Sequence, residues 1–173
     1  MSRKTIEPRD IVAIIDTREQ APLDLSPLRT EKGTLTTGDY SIKGLESEIA
    51  IERKSLPDLL GCVGRERERF DKEVKRLMAY PVRALVVEAT WHELEAGHWR
   101  SSIPPQTALG SIFGWIAYGL PVIMAGNPAQ ASKYVSRLLF IAARRRWVEL
   151  QSFRSGLRIL KTDDEHLDET PGF

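Results

Sequence analysis

The chain has 173 residues, 42% of them hydrophobic and 28% charged, with a net charge of +1, which suits one globular domain with its own core. No apolar run nears the ~18–20 residues that span a bilayer, and the polar start Met1-Ser2-Arg3-Lys4 lacks the apolar stretch of a secretory signal. The single cysteine, Cys62, excludes an internal disulfide and a cysteine-based zinc site, and His92, His98 and His166 lack zinc-ligand spacing, so a reducing, intracellular setting is expected. Residues 11–15, Ile-Val-Ala-Ile-Ile, form the apolar run of a strand buried on both faces. Asp16-Thr17-Arg18-Glu19 follows at its end, and Pro22, Pro27 and Gly33 mark a loop. Residues 34–37 and 40–43 read as two short strands around Gly38, and residues 48–54 as the next, giving an antiparallel meander.

Ser55-Leu56-Pro57-Asp58 has the form of a capping box, with Asp where Glu is usual. Residues 65–79 have the spacing of an amphipathic helix, with Phe70, Val74, Leu77 and Met78 on one face and charge on the rest. Residues 84–87 are a buried strand ending at Glu88; 91–96 are a helix stopped by Gly97; 98–104 are a loop. A further helix begins near Pro105, with Ala108, Leu109, Ile112, Phe113 and Ile116 as its apolar face, and stops at Gly119. Residues 121–125 are a short strand, and Asn127-Pro128 opens a last helix running to about Arg145, with Ala131, Val135, Leu138, Leu139 and Ala142 facing inward. Residues 147–160 fit a strand or a helix. Residues 161–173 set one lysine against five carboxylates, a composition that suits a solvated, disordered end. This leaves the first 160 residues at +5, a balance that permits nucleic acid without demanding it. The order of elements predicts an α/β protein with a central mixed sheet flanked by helices on both faces, a restriction-endonuclease-like core.

The chemistry gathers at Glu52-Arg53-Lys54. Alternation along a strand points Glu52 and Lys54 the same way, roughly 6–7 Å apart. A hairpin brings Asp39 beside Glu52, and two adjacent carboxylates repel unless a cation joins them. Paired carboxylates, a divalent metal and a nearby ammonium are the minimal equipment for phosphodiester hydrolysis. Lys54 would orient or deprotonate the attacking water, or offset charge on phosphorus; taken alone, each of these residues fits a turn or a surface ion pair equally well. Arg53 points to the other face, where it braces a carboxylate such as Asp16 or Glu19 or contacts phosphate. Asp16 and Glu19 either extend the acidic cluster or form structural ion pairs, and Asp58 either joins the cluster or caps the helix after Ser55. Arg65 and Arg69 lie at the helix end nearest the Glu52 strand and are the best candidates there to reach a phosphate. Arg144-Arg145-Arg146 suits a helix C-terminus with or without DNA. Trp91, Trp99, Trp115 and Trp147 fit base stacking or ordinary packing.

Asp16-Thr17-Arg18-Glu19, Gly38-Asp39-Tyr40 and Ile51-Glu52-Arg53-Lys54-x-x-x-Asp58, in this order, resemble the nuclease domain of the XPF-type structure-selective endonucleases. The likeness continues through Arg69-Phe70, the strand ending in Glu88, and Tyr118-Gly119-Leu120-Pro121-Val122. It implies a PD-(D/E)xK nuclease domain over residues 10–146 and a C-terminal extension over 147–173. It also implies Asp39 and Glu52 as metal ligands with Asp16 as a further one, Lys54 as the catalytic lysine, and Arg53, Glu19 and Asp58 around them. Arg65, Arg69 and Arg18 are expected to contact DNA. Mg²⁺ or Mn²⁺ is the expected cofactor, and the expected substrate is flap, fork or other branched DNA in repair or recombination, in a bacterial or phage setting. The family's eukaryotic and archaeal members carry tandem helix-hairpin-helix modules after the nuclease, whereas 28 residues follow Arg145 here. Branch selectivity is therefore expected from a homodimer or a partner subunit. The alternative is a non-catalytic DNA-binding or scaffold module on the same fold, in which eroded acidic positions would be expected.

Overall fold

A computed structural model of the chain describes residues 5–164. Six strands form one sheet: β1 (Val12–Asp16), β2 (Arg29–Gly33), β3 (Tyr40–Ile42), β4 (Ile49–Ser55), β5 (Val82–Glu88) and β6 (Val122–Met124), in the order β2-β1-β3-β4-β5-β6. β3 runs antiparallel to both β1 and β4, while β1–β2, β4–β5 and β5–β6 are parallel. The helices are α1 (Leu56–Val63), α2 (Arg67–Leu77), α3 (Trp91–Ala96), α4 (Pro105–Tyr118) and α5 (Pro128–Asp164).

Strand alternation divides the core in two. Ile49, Ile51, Ala84 and Val86 face α5 through Ala131, Val135 and Leu139. Ala50, Leu85 and Val87 face the other way, onto Leu59 of α1, Phe70, Val74 and Leu77 of α2, Leu94 of α3, and Ala108 and Ile112 of α4. The expected mixed sheet with helices on both faces is the observed architecture. The helix boundaries follow local chemistry. The Ser55 hydroxyl accepts the Asp58 N–H and donates to the Asp58 carboxylate at 2.6 Å. Thr90 and Glu93 form a reciprocal capping box, and Asn127 accepts the Gln130 N–H at 2.9 Å. Gly97 and Gly119 end their helices at φ 68° and 104°, the left-handed conformation that glycine tolerates best.

Four expectations are corrected. The second strand is 29–33, not 34–37, and it pairs in parallel with β1 at the sheet edge; its first four side chains are exposed, so no apolar alternation marked it. The meander is therefore spatial, β1-β3-β4, with residues 34–39 as loop. On α4 the buried side chains include Trp115 and Ser111, whereas Phe113 and Ile116 are exposed. The last helix runs on through residues 147–164 without a break, so Arg144–Arg146 lie mid-helix instead of at its end. There Arg145 and Arg146 pair with Glu149, and Arg146 also with Glu48. Most of the acidic segment read as disordered, residues 165–173, lies outside the described residues.

One glycine positions the site directly. Gly38 has φ 80°, and a Cβ there would stand 3.0 Å from the Ile51 carbonyl oxygen. The close approach lets Asp39 donate its N–H to Ile51 at 2.8 Å and receive the Asp16 N–H on its own carbonyl at 2.9 Å. Gly44 has a similar φ of 84° but open space around it. Gly38→Ala is therefore expected to cost about 2 kcal/mol or more, clearly more than Gly44→Ala, in urea unfolding followed by circular dichroism.

Candidate active site

β3 and β4 bring the two central carboxylates together. Asp39, just before β3, accepts the Arg53 N–H on Oδ2 at 2.8 Å. Glu52, 2% exposed, lies on the α1–α2 face of β4 with its carboxylate against the Lys54 ammonium. The Lys54 nitrogen also sits 5.5 Å from the centre of the Phe70 ring, a cation–π contact that helps hold a buried cation. Phe70 is fixed in turn by an edge-on contact with Trp115 at 4.9 Å.

The electrostatics follow from this burial. Desolvation pushes the Asp39 carboxyl up to about 6, although the Arg53 N–H and Lys54 oppose it. Desolvation and then the charge of Asp39 push Glu52 up to about 8. For Lys54 burial works against the charged form, but Glu52 outweighs it and holds the ammonium above its ordinary value. Glu73, on α2, raises both carboxylates further. It was read from the sequence as part of a solvated helix face; its place three residues after buried Phe70 is the signal that sets it beside the inward stripe.

Arg53 faces the opposite side of the sheet, as alternation requires. Its Nε donates to Glu88 at 2.6 Å, and its Nη1 donates to the Ala21 carbonyl at 3.0 Å and reaches Glu19 at 3.4 Å. Glu19 was one expected partner. Glu88 was seen only as a strand end, yet the parallel β4–β5 register sets Ser55 opposite Glu88 and so brings that carboxylate beside Arg53. Asp16 does not join either group. Arg18 folds back onto it through its backbone N–H, Nε and Nη2, and the Leu35 N–H donates to it at 2.7 Å. Burial would raise the Asp16 carboxyl, but these donors together hold it below the usual carboxylate range. Among the described residues no three histidine, cysteine or carboxylate side chains cluster tightly enough to hold one ion. The expected third ligand, Asp16, is thus engaged in bracing the loop after β1. Asp58, in the first turn of α1, accepts a hydrogen bond from the hydroxyl of the capping Ser55 at 2.6 Å and lines the neighbouring cleft.

Above the carboxylates opens a cleft of about 530 Å³, lined among others by Asp39, Arg53, Lys54, Arg18, Arg65 and Arg69. Arg65 and Arg69 are largely exposed, and Glu66 stands between them as their ion-pair partner. Asp39 and Glu52 form a hard oxygen-donor pair, of the kind that Mg²⁺ and Mn²⁺ take together with waters and a substrate phosphate. Two adjacent carboxylates driven towards protonation by burial fit such an ion on physical grounds.

A mixed sheet with buried carboxylates and a lysine on one strand, open to an arginine-lined cleft, is the architecture of a restriction-endonuclease-like nuclease core. The chain belongs to the ERCC4 domain family, which its sequence matches over residues 15–138. It is similar in structure to XPF from Aeropyrum pernix, at TM-score 0.61 and 18% identity, over 76% of this chain and 61% of that one. It is similar also to XPF from Aeropyrum pernix in complex with DNA, at TM-score 0.60 and 17% identity, over 78% of this chain and 66% of that one. At this identity the likeness is one of fold, and the chain spans less than two thirds of the length of these XPF chains. No curated protein matches the sequence.

The raised carboxyls make a pH prediction for the metal-free protein. Between about pH 4 and pH 8 the folded chain holds protons at Asp39 and Glu52 that the unfolded chain has released, so stability falls as pH rises through this window. In chelator, the melting temperature is expected to fall by about 5 °C from pH 5 to pH 8, and Asp39→Asn/Glu52→Gln protein should lose less than half as much. On the other face, Arg53→Ala leaves Glu88, whose side chain is 6% exposed, without its ion-pair partner; a loss of about 3 kcal/mol is expected in denaturant unfolding.

Proposed function

We propose that the chain is a divalent-metal-dependent DNA endonuclease. The observation that carries this reading is the Asp39–Glu52–Lys54 group: Asp39 and Lys54 line a cleft whose rim bears Arg18, Arg65 and Arg69, and Glu52 is buried against Lys54. Such a rim attracts a phosphodiester backbone, and the floor supplies what hydrolysis needs. Asp39 and Glu52 would hold the metal, Mg²⁺ or Mn²⁺. When bound, the ion supplies a water acidified for attack and Lewis-acid stabilisation of the leaving oxygen.

The chain's own residues do the rest. Lys54 is an ammonium at neutral pH, because its contact with Glu52 outweighs burial. It cannot take a proton in that state, so its role is to orient the nucleophile and offset the charge that builds on phosphorus. The Arg53–Glu88–Glu19 group holds β4 against β5 and the 19–21 loop, and its backbone N–H fixes the Asp39 carboxylate. Arg65 and Arg69, freed from Glu66, would contact phosphates flanking the scissile one. Branched or flap DNA in repair or recombination is the proposed substrate. Phe113, Ile116 and Tyr134 on α4 and α5, exposed apolar side chains, support a homodimer or partner subunit as the source of branch selectivity.

Asp39→Asn and Lys54→Met are each expected to lower cleavage of supercoiled and flap DNA with Mg²⁺ or Mn²⁺ by at least about 100-fold. Calorimetry should show divalent metal binding that is lost in Asp39→Asn. A folded wild-type protein that binds DNA but takes up no divalent ion would instead support a scaffold module.

A further inference from the structure

A second cavity, of about 630 Å³, adjoins the active-site cleft along α1. Pro57, Gly61 and Arg65 line both. No side chain stands at Gly61, and the nearest atom to a Cβ there is a Glu66 oxygen at 3.9 Å. Gly61, shared by both cavities, therefore leaves open space where a larger residue would project.

The far wall is the 98–104 loop, and it is held in place. The Trp99 indole donates its Nε1–H to the Ile103 carbonyl at 2.9 Å, and the Ser101 hydroxyl accepts the Ile103 N–H at 3.2 Å. Ile103 seats against Gly64, where a Cβ would stand 2.9 Å from its terminal methyl group. The half-buried indole, packed against the core cluster that contains Leu60, is thus a fixed aromatic part of a lining that also includes Leu56 and Leu60. Around this apolar interior stand Arg65, Arg100 and His98, and no carboxylate lines the cavity.

An apolar slot with a pinned indole and a cationic rim suits a nucleobase joined to its phosphates. A paired base is stacked within its helix and cannot enter a slot walled by the 98–104 loop; an unpaired one can. We infer that this cavity is a subsite for an unpaired nucleotide of the strand being cut, stacked on Trp99 while its phosphate meets Arg100 and Arg65. The inference rests on the endonuclease reading, deepening it from DNA to DNA with an unpaired nucleotide beside the scissile phosphate. It also gives this chain a local source of selectivity that needs no partner.

The test is equilibrium binding by fluorescence anisotropy with Ca²⁺ in place of Mg²⁺, using a labelled duplex and the same duplex with a single-stranded tail. Wild-type protein is expected to favour the tailed DNA about tenfold, and Trp99→Leu and Arg100→Ser each to cut that preference to threefold or less. Arg100 is exposed, so its replacement spares the fold. With 2-aminopurine at the first unpaired position, emission should be quenched on binding to wild type and recover in Trp99→Leu. Equal affinity of wild type for the two DNAs, or an undiminished preference in both variants, overturns the subsite. A preference that depends on Trp99 and Arg100, with no cleavage of either DNA in Mg²⁺ or Mn²⁺, supports the subsite and overturns the endonuclease reading.

Discussion

Two carboxylates are held close together out of water at the junction of β3 and β4, and much of the surrounding structure serves to make that tolerable. Asp39 and Glu52 each lose hydration, and each raises the energy of the other's charge. The fold answers with a single cation, Lys54, supplied two residues along the same strand and cradled by Phe70. Phe70 is held by Trp115, so α2 and α4 are recruited to support one ammonium. Gly38 is the backbone counterpart of this arrangement, because only the missing Cβ lets residue 39 lie close against β4.

The opposite face of β4 shows a different solution to the same problem. Arg53 is as poorly hydrated as Lys54, but its fork satisfies Glu88, Glu19 and a backbone carbonyl at once. That network is complete, and it ties β4, β5 and the loop after β1 into one rigid unit. The Lys54 face is not complete: one ammonium stands against Glu52, Asp39 and the field of Glu73. One strand therefore carries a satisfied ion network behind it and an undercompensated one in front. Lys54 with Asp39 and Arg53 with Glu19 border the same cleft from either side of the strand.

Much of this was legible in the sequence because it depends on local rules. Alternation along residues 49–55 was enough to separate Glu52 and Lys54 from Arg53. Ser55, Thr90-Glu93, Gly97, Gly119 and Asn127-Pro128 set helix ends through contacts within one turn. What was not legible depends on distant partners. β2 is an edge strand with four exposed polar residues, held by its register with β1 and not by a buried face. Glu88 and Glu73 enter the site only because β5 pairs in parallel with β4 and α2 crosses nearby. Asp16 looked like a third ligand by its position at a strand end, but Arg18, two residues on, reaches back to it, and the Leu35 N–H arrives from a loop whose path no local pattern sets.

The engagement of Asp16 bears on how the centre would work. With that carboxylate spent on Arg18 and the backbone, the floor offers two acidic side chains against one fixed ammonium. A divalent cation has more charge than the pair needs once Lys54 is counted, so the site is balanced only when further anionic oxygen arrives. A phosphodiester brings that oxygen. Arg65 and Arg69 meanwhile share the single carboxylate of Glu66 at the rim, and a phosphate backbone in the cleft is what would draw them off it. Charge balance thus ties full assembly of the centre to the presence of the substrate. A compact domain with so few acidic groups at its floor would gain selectivity from whatever places the strand there.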